Sequence, residues 1–273
     1  MQRFFDSDSD NALIEMQKKR IEAALSTSRV VNPTVASYGG GELQLFSHAS
    51  NWKAYFGSLV APSLGMRVLE VGAGIGTTTK TLCHGEHERW VCLEPDPEQL
   101  HLIEDLILRR DLPGFCEPRL GTIRCISLAE QFDTVLYIDV LEHIRDDRDE
   151  VREAASRLVA GGHLVILSPA FDWLMSPFDR SIGHYRRYSR RRLADAIPDG
   201  FRNQRLCYLD SIGMLMSLAN RTLLRQELPK LWQIAMWNRW IVPISRIIDP
   251  LLRFTCGRSV LGVWQKQMPT DLP

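Results

Sequence analysis

The sequence predicts an α/β fold in which helices cover both faces of a mainly parallel sheet, a doubly wound arrangement. The mostly apolar run 67–71 is typical of a buried strand, and three glycines at alternate positions lead from it into a threonine-rich stretch that can open a helix. A second strand is predicted at 90–94 and ends in Glu94, about twenty residues beyond the glycines. Strand and helix patterns then alternate as far as Pro169, which favours right-handed crossovers between parallel strands.

The remaining segments follow the same alternation. A helix is predicted from Asp10 or Asn11 to about residue 25, and residues 211–254 are predicted to be mostly helical, with prolines interrupting them. Further helices are predicted at 42–59, 97–110, 146–160 and 188–197, and further strands at 115–120, 132–138, 163–168, 201–209 and 260–267. Gly161 and Gly162 are expected to end the helix that precedes the fifth strand.

Length and composition narrow the class of protein. The 273 residues suit one large α/β domain or a domain with an appendage, and the net charge of zero gives no general attraction to nucleic acid. The six cysteines are scattered without a C-x-x-C pair, which is typical of free thiols in a reducing compartment. The first ten residues lack an apolar signal core, and no apolar run is long enough to span a bilayer. We therefore expect a cytoplasmic protein.

The chain is predicted to have four parts. Residues 1–60 form an N-terminal helical lid and residues 61–210 form the α/β core. Residues 211–256 form a helical insertion on the side of the core where an acceptor substrate would bind, and residues 257–273 form the final strand and tail. The N-terminal part is equally consistent with a packing helix or with an arm through which two copies associate.

Three sequence segments, VLEVGAGIGT, CLEPD and FDTVLYIDVLEHI, resemble in their order and spacing the motifs of class I S-adenosylmethionine-dependent methyltransferases. The segment PAFDWLMSPFDRSIGHYRRYS resembles a narrower bacterial group of that class, often associated with glycosyltransferase or natural-product pathways. The resemblance extends from about residue 52 to 193 and returns near the C-terminus. It implies a seven-stranded Rossmann-like sheet with an antiparallel C-terminal edge, and S-adenosylmethionine as cofactor.

The cofactor would be fixed at its methionine carboxylate and at its ribose hydroxyls. Backbone N–H groups near Gly72 and Gly74 suit the carboxylate, and Glu94 suits the ribose. The resemblance implies that the adenine edge lies at 121–123, where the commoner acidic residue is missing. Asp139 is expected to receive the donor's amino group or to orient the loop, or else to close its strand. The predicted cofactor residues are Glu70, Gly72, Ala73, Gly74, Gly76, Thr77, Glu94, Pro95, Thr122, Ile123 and Asp139.

A hydroxyl acceptor needs a base, for which His143, His184 and Tyr185 are the predicted candidates. Each histidine is equally open to a structural role, and methyl transfer by proximity alone is the alternative mechanism. The arginine run 180–192 predicts an acceptor that carries phosphate, such as a nucleotide sugar or a lipid-linked sugar, with Arg186, Arg187 and Tyr188 as its ligands. Its alternative is a solvated surface whose arginines pair with Asp179 and Asp195.

Two other parts of the sequence contain residue types that are common in metal sites or in apolar binding surfaces. Cys83, His84 and His87 lack the closed spacing of a zinc site, so no metal is predicted. The tryptophan-rich block 231–248 suits a membrane surface, an apolar acceptor pocket, a dimer interface or plain helix packing.

The sequence thus predicts a methyltransferase acting on a small-molecule or lipid-linked acceptor in a biosynthetic pathway, without nucleic acid as partner. Oxygen is favoured over nitrogen or carbon as the methylated atom by base rate alone. A nicotinamide-dependent oxidoreductase is a second possibility, although its fingerprint would place the third glycine at Thr77 and not at Gly76. A cofactor-binding subunit without catalysis is a third.

Overall fold

The computed structural model describes residues 41–219 and 229–268, and in them seven strands form one sheet. The strand order is β3-β2-β1-β4-β5-β7-β6, in which β7 runs antiparallel to both β5 and β6 and the other neighbours are parallel. The strands are β1 (Arg67–Val71), β2 (Arg89–Glu94), β3 (Cys116–Leu120), β4 (Phe132–Ile138), β5 (Leu158–Pro169), β6 (Phe201–Leu209) and β7 (Ser259–Lys266). The predicted seven-stranded, doubly wound sheet with an antiparallel C-terminal edge is confirmed.

The helices lie before, between and after these strands. They are α1 (Gly41–Ser47), α2 (Ser50–Val60), α3 (Thr77–Leu82), α4 (Pro97–Leu108), α5 (Asp147–Ser156), α6 (Pro177–Ser181), α7 (Arg190–Ala194), α8 (Ser211–Ala219), α9 (Leu231–Met236) and α10 (Val242–Leu251). A π-helical turn, Trp237–Ile241, joins α9 to α10. The helix predicted between Asp10 and residue 25 falls outside the described residues.

Both faces of the sheet are buried, as a parallel sheet between helical layers requires. Val68 and Leu136 point into one apolar cluster, while their neighbours Leu69 and Val135 point into the other. The first cluster receives Trp52 from α2, and the second receives helix α5. This two-sided burial explains why the central strands are continuously apolar and do not alternate.

Pro118 stands in the middle of β3 and is compatible with it because β3 is the edge of the sheet. A proline cannot donate to a strand ladder, and β3 has a neighbour on one side alone, where Cys92 of β2 is its partner in register.

Three predicted boundaries are wrong. The helix predicted to reach residue 160 ends at Ser156, and β5 begins at Leu158, since this part of the chain pairs with the start of β4. The helix predicted at 188–197 is confined to α7, because the chain at Tyr188 forms a bridge with Ala170. The helix predicted at 42–59 is divided into α1 and α2 by a break after Ser47.

Two buried carboxylates attach the helical insertion to the rest of the fold. Asp249 of α10 accepts a hydrogen bond from the Tyr55 hydroxyl at 2.8 Å and another from the backbone N–H of Asp210 at 2.7 Å. Asp210 in turn accepts hydrogen bonds from Trp237 Nε1 at 2.7 Å and from the Ser245 hydroxyl. These contacts fix the insertion against α2 and the end of β6. The four-part division of the chain stays a prediction.

None of the helices in the described part of the chain has both the length and the apolar character that crossing a bilayer would require.

Candidate active site

The glycine loop after β1 has a backbone that other residues would strain. Gly72, Gly74 and Gly76 have φ angles of 68°, 57° and 76°, in the left-handed region that favours glycine. A Cβ on Gly72 would also lie 2.6 Å from the side chain of Val140. The loop is anchored to β2, because the N–H groups of Gly72 and Ala73 both donate to the carbonyl of Leu93. The loop therefore brings bare backbone to the carboxyl edge of the sheet.

Glu94, at the end of β2, holds this loop from the other side. Its Oε2 accepts the N–H of Gly74 at 2.8 Å, and its Oε1 accepts the N–H of Asp96 at 3.0 Å. The residue is 5% exposed, and burial is the main reason why the pKa of its carboxyl is raised. Each oxygen retains a further lone pair, so this carboxylate is able to accept ribose hydroxyls as well.

Glu70 has a different position. Its Oε2 accepts hydrogen bonds from Thr79 Oγ1 at 2.7 Å and from Trp90 Nε1 at 2.8 Å. Burial raises its pKa to about 7, and the two hydrogen bonds oppose that shift. Glu70 thus joins β1, α3 and β2 underneath the glycine loop, where it orients the loop.

The other predicted cofactor residues lie along the same edge of the sheet. Pro95 and Thr122 are exposed at the ends of β2 and β3, whereas the side chain of Ile123 is fully buried in the apolar cluster beside β1. Any contact of Ile123 with a nucleotide would therefore be through its backbone. Ala73 and Thr77 belong to the loop and to the first turn of α3.

Helix α1 covers the glycine loop. A Cβ on Gly74 would be 3.5 Å from Leu43, which shows how closely this helix approaches. Lys53 of α2 donates from Nζ to the carbonyls of Phe46 at 2.7 Å and Ser47 at 3.4 Å, and so fixes the C-terminal end of α1. Burial lowers the pKa of Lys53 to about 8, against the opposing effect of Asp139.

Asp139 follows β4 and reaches solvent between charged side chains. Its φ is 54°, and its N–H donates to the carbonyl of Leu167. Desolvation by the surrounding protein raises the pKa of its carboxyl to about 6, an effect that nearby cationic side chains oppose. These opposing groups are His184, Arg258, Lys53 and Arg187. Asp139 is therefore an exposed carboxylate among these charged side chains. We call this part of the sheet edge the cleft.

A buried polar cluster lies beside Asp139, between the turn after β4 and the loop after α6. His184 bonds through Nδ1 to Asp179 Oδ1 at 3.1 Å, and its Nε2 is 3.9 Å from Oε1 of Glu142. The rings of His184 and His143 meet edge to face, with centroids 4.5 Å apart. Burial, and then the charge of His184, lower the pKa of His143 to about 3. His143 is therefore neutral at physiological pH and a poor proton acceptor.

Asp179 supports His184 from behind. It is 1% exposed and accepts hydrogen bonds from Ser176 and, at 2.7 and 2.9 Å, from Nη2 of Arg187. Burial raises the pKa of Asp179, but the hydrogen bonds from His184, Arg187 and Ser176 outweigh it and hold the pKa well below its usual range.

The residues predicted to bind the acceptor have partners within the protein. Arg186 forms an ion pair with Asp147 at 2.6 Å, and Arg187 is occupied by Asp179. Tyr188 is fully buried, and its hydroxyl donates to Asp147 at 2.7 Å. The three side chains attach the loop that carries His184 to the first residue of α5 and to α6. Their role as acceptor ligands stays a prediction. Tyr185 is 58% exposed, unlike the two histidines beside it in the predicted set.

Three further residues of the cleft were not identified from the sequence. They are Lys53, Glu142 and Arg258. Glu142 stands next to His143 in the segment DVLEHI, and this adjacency to a predicted residue was the one available signal. A separate recess at 161, 202 and 265–268 lies at the other end of β5 and contains none of the candidate residues.

Comparisons with known proteins agree with this geometry. Residues 69–164 match the model of a family described as a methyltransferase domain. The resemblance to class I methyltransferases is thereby supported over residues 69–164. S-adenosylmethionine is the methyl donor of that class, so the predicted family and cofactor are confirmed at this level.

Two curated methyltransferases are similar in sequence to this chain over part of their length. The tRNA U34 carboxymethyltransferase of Aliivibrio fischeri (strain MJ11) is 32% identical over 127 residues, which cover 44% of this chain and 39% of the relative. Ajmaline N-methyltransferase of Rauvolfia serpentina is 25% identical over 183 residues, 66% of this chain and 58% of the relative. The chain therefore spans less than two thirds of either relative's length.

A solved structure extends the likeness to nearly the whole methyltransferase fold. Geranyl diphosphate methyltransferase in complex with SAM superposes with a TM-score of 0.57 and covers 90% of this chain and 94% of that one. Because the two sequences are 14% identical, this likeness establishes the fold alone.

Proposed function

We propose that the protein transfers the methyl group of S-adenosylmethionine to an oxygen atom of an acceptor in the cleft beside Asp139. The observation that carries this proposal is the arrangement of Glu94, the glycine loop and Asp139 along neighbouring strand ends, where class I enzymes bind their donor. Glu94 would hold the ribose hydroxyls. Because the N–H groups of Gly72, Ala73 and Gly74 are bonded within the protein, the methionine carboxylate would be received by the remaining N–H groups of the loop. The bound donor supplies an electrophilic methyl group on a sulfonium.

The protein's own contribution is to orient the acceptor, exclude water and accept a proton. Helix α1 covers the loop, and the ring of Phe46 lies 6.3 Å from the rings of both Phe178 and Trp237, which gives the cleft an aromatic wall. The acceptor oxygen would attack the methyl carbon while the bond from that carbon to sulfur breaks. Its proton would pass to Asp139, which is the accessible carboxylate of the cleft.

We further propose that the acceptor carries an apolar tail and is met at a membrane surface. One face of the insertion is apolar and exposed at three- and four-residue spacing, which we name the insertion face. Its members are Trp232, Met236, Trp240, Ile244, Ile247 and Leu251, which are 37–74% exposed. Such a stripe with tryptophans is typical of a helix that lies in the interface of a bilayer.

The charges around the insertion face fit an anionic bilayer. Lys230, Arg239, Arg246 and Arg253 are all exposed on the described segment 229–254, and its one acidic residue, Asp249, is fully buried. Cations beside an apolar stripe are attracted to anionic lipid headgroups. Trp237, on the opposite side of the same helix, packs near Phe46, so the insertion connects the exposed face with the cleft.

A tRNA acceptor is the alternative suggested by the name of one relative. Against it, three arginines near the cleft are engaged by carboxylates of the protein, in the pairs Arg186–Asp147, Arg187–Asp179 and Arg192–Asp172. Binding to a phosphate backbone depends on cations that are free to replace counterions. The net charge of the chain is zero.

The proposal is tested with a methyl-labelled donor and three separate acceptor pools. These are a detergent-dispersed bacterial lipid extract, the water-soluble metabolites of the same cells, and bulk tRNA. We expect label in the lipid pool, with loss of transfer in Glu94→Ala and normal transfer in Glu98→Ala, a variant at an exposed position of α4. Label in tRNA would overturn the acceptor class. Donor binding without transfer to any pool would favour a non-catalytic subunit.

A further inference from the structure

We propose that Glu142, His143 and His184 bind a divalent transition-metal cation on the acceptor side of the cleft. Each of the three offers one ligand atom, and these atoms lie within 4.8 Å of one another. Within residues 41–219 and 229–268, no other three histidine, cysteine or acidic side chains come together in this way. The binding does not depend on the methyl transfer proposed above.

Glu142 gives the strongest reason to expect a cation. It is 0% exposed, and among the described residues the only donors near its carboxylate oxygens are its own backbone N–H and the fully buried hydroxyl of Ser168, neither of which forms a well-aligned hydrogen bond with it. A buried carboxylate with so few donors is unfavourable, and native proteins resolve this by protonating it, by pairing it with a charge or by using it to coordinate a metal. A cation between Glu142 and the two imidazoles would supply the missing partner.

The histidines are oriented as metal-binding histidines usually are. Nδ1 of His184 bonds to Asp179, which leaves Nε2 to face Glu142 at 3.9 Å. His143 forms a hydrogen bond with the backbone of Ile182. A ligating histidine typically donates its other ring N–H to a carboxylate or to a backbone carbonyl, which fixes the tautomer and the direction of the ring.

Hydrogen bonds hold in place the groups that orient the two histidines. Asp179 is held in place by Arg187 and Ser176, as described above. The backbone N–H of Tyr185 donates to the carbonyl of Glu142 at 2.9 Å, which ties the loop of His184 directly to the turn of Glu142 and His143. The three ligands therefore come from two segments that are joined beside the site.

The donor set selects the class of metal. Two imidazoles and one carboxylate suit zinc, manganese, iron or cobalt, whereas magnesium and calcium prefer an all-oxygen shell. Three protein ligands leave coordination positions open for water or for an acceptor oxygen. If the proposed methyl transfer is correct, a cation here would polarise the acceptor hydroxyl and favour transfer of its proton to Asp139.

The test is metal binding by tag-free protein that has been treated with a chelator and dialysed. We would titrate it with Co²⁺ while recording the visible spectrum, and with Zn²⁺ and Mg²⁺ by calorimetry, without donor or acceptor. We expect one Co²⁺ or Zn²⁺ per chain, a cobalt spectrum typical of nitrogen and oxygen ligands, and much weaker binding of Mg²⁺. Because no donor is present, failure here would leave the methyltransferase proposal standing.

Variants identify the ligands. Glu142→Gln, which keeps the size of the side chain, and His184→Ala should each weaken Co²⁺ binding by at least about tenfold, and Asp179→Asn by about tenfold through the orientation of His184. His101→Ala, at an exposed histidine bonded to Glu104, is the matched control and should bind normally. Circular dichroism would establish that each variant is folded. The proposal fails if wild-type protein binds no cation, or if Glu142→Gln and His184→Ala bind it as wild type does.

Discussion

At the scale of single residues, two glutamates show that the sequence alone does not distinguish a residue that supports the glycine loop from one that can bind the cofactor. Glu94 is the last residue of β2 and Glu70 is the last but one of β1, and both were predicted to serve the cofactor. The structure turns Glu70 towards Thr79 and Trp90 underneath the loop, whereas Glu94 bonds to Gly74 at the edge of the sheet. Position along a strand identified both residues, but the direction of each carboxylate depends on contacts that no spacing encodes.

The arginines near His184 were harder to predict because their partners are distant in sequence. Arg186 pairs with Asp147, and Arg187 with Asp179 on the far side of a turn. The alternative stated from the sequence, pairing with Asp179 and Asp195, is seen for Arg187 and Arg191. The pairing of Arg186 with Asp147 depends on the fold. For the same reason Glu142 gave no sign in the sequence of being fully buried.

Asp139→Asn tests the electrostatics of the cleft in chelator-treated protein. The fold raises the pKa of Asp139 from its usual value of 3.8 to about 6, so the folded protein disfavours the ionised form. This penalty is fully present above pH 6 and absent below pH 3.8. We expect the variant to be more stable than wild type at pH 7, with the difference shrinking as the pH falls to 4. Asparagine also tolerates the positive φ at this position.

Thermal denaturation at several pH values between 4 and 7 measures this difference. The charged groups that act on Asp139 are His184, Arg258, Lys53 and Arg187, and Glu142 lies near it. Asp195→Asn, at the end of α7, controls for the loss of one negative charge. The account of the cleft is wrong if Asp139→Asn is destabilised at pH 7, or if its stability relative to wild type does not change with pH.

At the scale of elements, the central strands were predicted almost to the residue and the boundaries of helices were not. Apolar runs bounded by glycine or an acid define β1, β2 and β4 clearly, because such strands are buried on both faces. The end of α5 is instead decided by pairing between Leu158 and Phe132, a long-range contact. The local sequence pattern favours a helix at this point, but pairing with β4 places these residues in a strand.

The insertion face leads to a prediction about membranes. Trp232 and Trp240 are 60% and 61% exposed, and each would bury a large apolar surface in a bilayer. We expect the protein to sediment with phosphatidylglycerol vesicles and less with phosphatidylcholine, and added salt to weaken the binding. The double variant Trp232→Ser/Trp240→Ser should bind at least about tenfold more weakly, given ~1.5–3 kcal/mol for a buried side chain.

Trp173→Ser is the matched control, because Trp173 is 45% exposed but lies outside the insertion face. It should sediment as wild type does. If the protein binds neither kind of vesicle and instead forms a dimer that the double variant abolishes, the insertion face is an interface between two copies.

At the scale of the whole molecule, the order of the strands explains why motifs far apart in sequence form one site. Strands β2, β1 and β4 are neighbours and parallel, so the segments that follow them meet at one edge. The alternation of strand and helix predicted this much of the site. A helical lid and a helical insertion were predicted from other features of the sequence. The alternation could not position either of them, since neither continues the α/β pattern and the insertion is held by side-chain contacts such as Tyr55–Asp249.

The central claim is that the glycine loop and Glu94 bind S-adenosylmethionine, and calorimetry tests it most directly. Purified protein would be titrated with S-adenosylhomocysteine and, separately, with NAD. We predict a dissociation constant on the order of micromolar for S-adenosylhomocysteine, which Glu94→Ala weakens by ~1.5–3 kcal/mol and Glu98→Ala leaves unchanged. Binding of NAD together with no binding of S-adenosylhomocysteine would contradict the account.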